Sequence, residues 1–380
     1  MTTLRVVESL HDVPRDAWNG LVGDDGSPFL EWDWLATLEE TGAVGSDTGW
    51  LPQHLTLWDD GRLVGACPLY VKGHSHGEFV FDHGWASAAH RARIPYYPKL
   101  LVAVPFTPVT GQRFLAAPGR HAAMAAVLGE ALETLCARQG FSSAHVNFCP
   151  DDERDALAAR GWLHRTGYQY HWTNGGFGTF DDYLESLRSK RRNQVRRERR
   201  ELEGQGVVVE AFVGDEIPEA FIPVVYRLYR NTVDTNPWGQ RYLNRRVFQL
   251  LWERWRDRLC VILARRAGRV IAGTFNVQKA GVLYGRYWGA LESLRHLHFN
   301  VRYYAAIEHC IVRGLRRFEP GAGGEFKQMR GFDASPTQSM HWIGNPRLRD
   351  AVAEYLVRER AHIAGEIEWL VDNTAHKREG

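Results

Sequence analysis

The sequence predicts an α/β fold built from two tandem copies of one module, and three observations predict it. The composition is that of a folded chain: 380 residues, 44% hydrophobic, 12% aromatic and 24% charged, with 37 glycines and 16 prolines. That excludes disordered, collagenous and small disulfide-framework classes and leaves one large domain or two medium ones. A hairpin-like stretch at 51–72, LPQHLTLWDDGRLVGACPLYVK, recurs at 260–279 as CVILARRAGRVIAGTFNVQK. Gly268, Arg269 and Lys279 stand at one common offset from Gly61, Arg62 and Lys72. Each copy is followed by the same order of elements, an aromatic strand, a helix and a short strand, which reads as duplication.

In the first module two apolar runs flank Asp60 and Gly61, the pattern of a hairpin. EFVFDHGWA at 78–86 reads as the next strand. Residues 87–121 form a longer excursion. The prolines of IPYYPKLLVAVPFTPVTG forbid a central strand or a regular helix throughout it and predict a partly apolar loop able to line a pocket. AAMAAVLGEALETLCARQG then predicts a helix and FSSAHVNF a short strand. The modules divide as 1–172 and 173–380, and the glycines of NGGFGTF at 174–180 let the chain turn at the seam. A helix follows from Asp181 or Asp182 to about Glu203, its acidic start matched to the positive end of the helix dipole. Beyond the second hairpin, VLYGRYWGA at 282–290 reads as a strand, FNVRYYAAIEHCIVRGL as a helix and RRFEPG as a strand.

The 47 basic residues against 45 acidic ones leave a formal net charge of +2, which gives no global reason to expect nucleic-acid binding, and no DNA partner is expected. Five widely spaced cysteines, none in a CxxC pair, predict a reduced cytoplasmic protein. MTTLRVVESLHDVP has neither a basic n-region nor an apolar h-region, so Sec export is not expected. The longest apolar stretch, LLVAVPFTPVTG, is shorter than a bilayer crossing and broken by two prolines, so no transmembrane insertion is expected.

Four constellations carry possible chemistry. RSKRRNQVRRERR at 188–200 sets eight basic residues against Glu198. Arg191, Arg192, Arg196 and Arg197 suit several phosphates, and a solvated helix balanced by Glu201 and Glu203 is the plain alternative. In the strand 282–290, Tyr284, Arg286 and Trp288 project one way and Tyr287 the other. Asn300, Tyr304 and Glu308 recur every four positions, so they share one helix side and can position an amine or exchange its proton, although Glu308 suits an arginine partner equally well. In RFEPGAGGEFKQMRGF, Glu319 ends a strand and three glycines precede Glu325, Lys327 and Arg330. The spacing is not a Walker motif, and the alternative is a glycine turn with paired charges. Carboxylates beside cations suit amine chemistry, the carboxylate taking the ammonium proton while a cation meets an acyl oxyanion. HSHGEFVFDHGW supplies His74, His76, Glu78, Asp82 and His83. Alternation places His74, His76 and Glu78 on one strand face, for hydrogen bonds to substrate or for turn packing, and the spacing is not that of a metal site. Neither GxSxG nor GxGxxG is present.

These stretches, with TGWLPQHL at 48–55 and YYPKLLVAVPFTPVTG at 96–111, resemble a bacterial family of predicted N-acyltransferases related to the Fem-type peptidyltransferases, and the likeness runs over nearly the whole chain. The resemblance implies two GNAT-like modules, each a mixed central sheet flanked by helices, with a substrate channel near their junction. It implies peptidoglycan biosynthesis, and transfer of an acyl or aminoacyl group from acyl-CoA or aminoacyl-tRNA to a small-molecule or peptide amine, with no metal and no tightly bound cofactor. Glu308, Glu319 or Glu325 would take the amine proton. Tyr287, Tyr304, Lys327 and Arg330 would orient substrate or meet the oxyanion, and Arg191, Arg192, Arg196 and Arg197 would meet donor phosphates. His74, His76, Glu78, Asp82, His83, Arg286 and Asn300 would bind substrate. The chain departs from ordinary GNAT enzymes in the loop ALESLRHLH, which has no glycine-rich cradle, and from Fem-type enzymes in having no long heptad segment. The competing reading is a noncatalytic protein that binds a peptidoglycan-like peptide or an acylated metabolite.

Overall fold

Asp60 and Gly61 turn the chain as their place between two apolar runs predicts. In the computed structural model, which describes residues 1–236 and 239–377, the first strands are β1 (Thr2–Val7), β2 (Trp50–Pro52), β3 (His54–Asp59), β4 (Arg62–Cys67) and β5 (Leu69–Lys72). β3 and β4 pair antiparallel around Asp60 (φ 44°) and Gly61 (φ 78°), with a bulge between Leu57 and Trp58. Two successive positive φ angles let a short turn follow the twist of its strands. Pro68 has no N–H to donate, and the chain changes neighbours there. β3 and β4 lie in the order β1-β3-β4-β7, with β7 at Leu115–Ala116. β5 pairs antiparallel with β2 and with β6 (Lys99–Val102). β6 then runs parallel to β8 (Ser143–Cys149).

Helices α1 (Arg15–Val22), α2 (Trp32–Glu40), α3 (His83–Arg91), α4 (His121–Gln139) and α5 (Asp151–Ala158) complete this part of the chain. The helical spacing of Leu128, Leu132 and Cys136 on α4 drives that face onto Leu69, Leu100, Val102 and Val146. Two sequence expectations fail here. EFVFDHGWA is not a strand, because Trp85 and Ala89, four apart, form the buried stripe of α3 while Glu78 and Asp82 turn inward to a lysine. The proline-rich excursion does hold a central strand, because β6 needs only four proline-free residues, and all four are buried.

The second hairpin repeats the first in detail. After β9 (Leu163–Thr173), α6 (Phe180–Ser186), α7 (Ser189–Glu203), β10 (Val207–Val213), α8 (Ile222–Thr235) and α9 (Arg245–Trp255) come β11 (Leu259–Arg266) and β12 (Arg269–Lys279). They turn at Ala267 (φ 47°) and Gly268 (φ 74°), with the bulge between Ala264 and Arg265, at the positions matching Leu57 and Trp58. Phe275 stands where the first copy has Pro68, so β12 runs unbroken between β11 and β13 (Val282–Ala290). β13 is parallel to β14 (Arg317–Glu319), which pairs antiparallel with β9 at Phe318–Trp172. The helix expected from Asp181 or Asp182 to about Glu203 is two helices rather than one. Thr179 and Asp182 form a capping box on α6, and Leu187 and Arg188 are then extended because they pair with His376 and Ala375.

The described residues form two compact units, Met1–Tyr168 with Pro336–Glu366, and Gln169–Ser335 with the residues from Ile367 on. Residues 336–366, expected in the second module, thus group with the first unit. β15 (Asp333–Ile343) pairs with β8, and Leu348, Val352 and Leu356 of helix Pro346–Asp372 pack on Trp85, Ala89 and Tyr96. The fold is α/β with mixed sheet flanked by helices. No helix among the described residues is long and apolar enough to cross a membrane. All five cysteines are buried and free.

Candidate active site

The second unit gathers its unspent polar groups where β14 ends. Parallel pairing of β13 and β14 stops at Tyr284 and Glu319. The backbones stay close just beyond, since a Cβ on Gly285 would lie 3.1 Å from Pro320 Cα and one on Gly321 3.1 Å from the Gly285 carbonyl. Glu319 is 2% exposed and neither carboxylate oxygen has a hydrogen-bond partner. Arg317 Nη2 approaches Oε1 at 2.6 Å without hydrogen-bond geometry, and His171 Nε2 stands 3.7 Å from Oε2. Burial pushes the Glu319 carboxyl up to about 7 against the pull of Arg317 and Arg316. Burial, then Arg317 and Lys327, push His171 down to about 3, so its ring is neutral at pH 7.

Lys327 comes to this place on the 3-10 turn Glu325–Arg330. Its Nζ donates to the Gly321 carbonyl at 2.5 Å, and burial, then Arg302, push it down to about 7. Arg302 itself donates to the Pro320 carbonyl at 3.2 Å. Glu319 thus lies buried with His171 and beside the partly exposed Arg317, a proton acceptor next to a cation, the pairing that amine acylation uses, and Lys327 acts on the same His171. Glu325 opens the turn, and its side chain lies outside the described residues.

The other expected residues divide. Tyr304 and Arg330 are buried but spent on Glu198: the Tyr304 hydroxyl donates to Glu198 Oε2, and Arg330 Nη2 donates at 3.1 and 3.2 Å. Asn300 Nδ2 donates to the Glu198 carbonyl at 3.1 Å. Tyr287 packs among Tyr229 of α8 and Phe248 of α9, with Arg286 5.6 Å from its ring. Glu308 is half-exposed and paired to Arg199 at 3.0 Å. That pair borders a cavity of about 720 Å³ lined by Phe180, Asp181, Arg196, Arg199, Arg200 and Glu203, and another of about 270 Å³ lined by Leu202, Val207 and Tyr304. Of the four arginines expected to meet phosphate, Arg196 lines the larger cavity and pairs with Glu185 and Asp181. Arg192 pairs with Glu185, Arg197 with Glu201, and Arg191 donates to Gln194.

The candidate set of the first unit is not a strand face. His74 meets the Thr48 carbonyl at 3.0 Å, while His76 and His83 are exposed. Glu78 and Asp82 are buried against Lys99, whose Nζ donates to Glu78 Oε2 at 2.8 Å, to Asp82 and to Ser75. Burial pushes Glu78 up to about 7, whereas Lys99 holds Asp82 below the usual range despite its burial. Among the described residues, no three His, Cys, Asp or Glu side chains are grouped to hold a metal ion. Sequence reasoning passes over His171, Arg317 and Arg302 as site residues, and it counts Arg199, Arg200 and Glu198 in the basic run without choosing them.

Among solved structures the chain is similar to FemX, with 12% identity, 93% of this chain and 100% of that chain covered, and a TM-score of 0.56. It is similar to L-PGS from Bacillus licheniformis, with 9% identity, 89% and 98% covered, and a TM-score of 0.53. It is also similar to a conserved protein of unknown function from Bacteroides thetaiotaomicron VPI-5482, with 12% identity, 89% and 99% covered, and a TM-score of 0.52. At such identities the likeness is one of fold. A comparison with curated proteins gave no match. Residues 9–378 match the FemAB-like family, described as peptidoglycan biosynthesis/recognition, and the chain belongs to that family.

Proposed function

We propose that the protein is an N-acyltransferase that moves an acyl or aminoacyl group from a phosphate-bearing donor, acyl-CoA or aminoacyl-tRNA, to an amine, with Glu319 as the proton acceptor. The observation that carries this reading is the buried Glu319 carboxylate. It has no hydrogen-bond partner, it is pushed up to about 7, and it lies beside Arg317. A base of that proton affinity takes a proton from an attacking ammonium near neutral pH. The amine nitrogen then bonds to the donor carbonyl carbon, charge on the carbonyl oxygen meets the Lys327 ammonium or Arg317, and collapse breaks the bond to the carrier sulfur or ribose oxygen, which leaves with the second proton given up by the new amide nitrogen. Arg196, Arg199 and Arg200, which share the larger cavity, are the groups for donor phosphate. The matched hairpins, alike in turn and bulge, support descent of both units from one GNAT-like module.

Purified protein supplied with acyl-CoA and aminoacyl-tRNA pools and amine acceptors tests the reading. Glu319→Gln is expected to slow turnover by roughly 10²- to 10⁴-fold with donor binding retained. Transfer at the wild-type rate in that variant would remove Glu319 as the base. Tight ligand capture without turnover by the wild-type protein would favour the noncatalytic binding reading.

A further inference from the structure

We propose that Glu198, the lone acid of the basic run, is a positioning residue that ties α7 to the turn carrying Lys327 through Arg330. Its catalytic meaning rests on the reading that Lys327 meets the acyl oxygen. Val195, Glu198 and Leu202 form the buried stripe of α7, while Arg196, Arg197 and Arg200 face outward. Glu198 is 3% exposed and four donors converge on it: the Tyr304 hydroxyl, Arg330 Nη2, Gln194 Nε2 at 2.9 Å and, at its carbonyl, Asn300 Nδ2. Asn300 and Tyr304 begin and end a π-turn, the irregularity that brings both to one acid.

Arg330 Nε donates to the Tyr304 hydroxyl at 2.9 Å, and the rest of the side chain reaches the turn and Phe299. Nη1 donates to the Phe326 carbonyl at 3.0 Å, the guanidinium lies 3.5 Å over the Phe299 ring, and the Tyr183 hydroxyl donates to the Arg330 carbonyl. Lys327 sits inside that clamp. Replacing a buried ion pair by apolar groups is often neutral for stability, so a fully satisfied one is better placed to fix geometry than to stabilise the fold. The charged and titratable groups facing Lys327 are Arg302 and His298 from the helix at 297–312 and His171 from β9. With the clamp cut, Lys327 loses the burial that keeps its proton affinity low.

The protein has six lysines, so ¹³Cε-lysine NMR gives six resonances, with Lys327 identified by its loss in Lys327→Arg. The titration midpoint of Lys327, about 7 in the wild type, is expected to rise by at least one pH unit in Glu198→Gln. It is expected to rise by less in Tyr304→Phe, while exposed Lys190 does not move. An unchanged Lys327 midpoint in a folded Glu198→Gln protein overturns the proposal. If that variant does not fold, an unchanged midpoint in Tyr304→Phe overturns it. The measurement needs no substrate, so it decides the clamp even if the wild-type protein transfers nothing from either donor pool.

Discussion

Each unit buries a carboxyl that burial has pushed up to about 7, Glu78 in the first and Glu319 in the second, and each buries a lysine pushed down to about 7, Lys72 and Lys327. What differs is how the charges are used. In the first unit Lys99 bonds Ser75, Glu78 and Asp82 together, and Tyr96 donates to Asp82 at 2.6 Å, so the loop after β5 is fastened to β6. Lys72 lies 3.7 Å over the Trp50 ring. In the second unit Glu319 accepts no hydrogen bond and Lys327 donates only to a carbonyl. Similar burial thus goes with a carboxyl fastened to a lysine at Glu78 and with one that accepts no hydrogen bond at Glu319.

The comparison breaks most sharply on Lys99 and Lys327. Lys99→Met leaves two buried carboxylates without their cation and is expected to cost about 3–5 kcal/mol near pH 8 in a urea melt. The loss is expected to shrink toward pH 5, where Glu78 takes up a proton. Lys327→Met removes no carboxylate partner among the described residues and is expected to cost about 1 kcal/mol, the worth of one hydrogen bond. Equal losses in the two variants would show that both clusters are structural.

Much of this arrangement was legible in the sequence. The pair of matching hairpins was, because Gly61 and Gly268 mark turns that need positive φ and the flanking apolar residues keep phase. The strand ending at Glu319 was legible for the same kind of reason. The first-unit cluster was not: HSHGEFVFD reads as alternation, yet a lysine 21 residues beyond Glu78 draws both acids inward, a long-range effect no local period carries. The same holds for His171, which comes beside Glu319 because β9 pairs with β14, and for Glu198, whose role depends on a turn 132 residues away. Tyr304 and Arg330 were found by residue type, but their partner set their use.

Glu319 can be sharpened further through its pH linkage. Its folded proton affinity lies above the ordinary value of 4.5, so the native state holds a proton the unfolded chain releases between about 4.5 and 7. Wild-type stability contributed by this group therefore falls as pH rises through that window. Glu319→Gln is expected to be more stable than wild type by about 2–3 kcal/mol at pH 8 and indistinguishable from it at pH 4. A variant less stable at pH 8 would mean that Arg317 and its neighbours depend on the charge, making Glu319 a fastening like Asp82.

The smallest effect expected is at Glu308, which the sequence offered as an equal candidate for the base. Its pair with Arg199 is partly exposed on both sides, 28% for the arginine and 41% for the acid, so solvent screening leaves it worth less than about 1 kcal/mol. Glu308→Gln releases Arg199 into the larger cavity, where it joins Arg196 and Arg200. Donor KM is expected to fall a few-fold while the turnover rate stays unchanged, and added salt is expected to erase that gain. Freeing a cation strengthens phosphate contact without touching the proton acceptor. Turnover slowed by roughly two orders of magnitude, the scale of losing a general base, would instead move the base from the end of β14 to the helix that carries Glu308. The unspent state of Glu319 would then need another explanation.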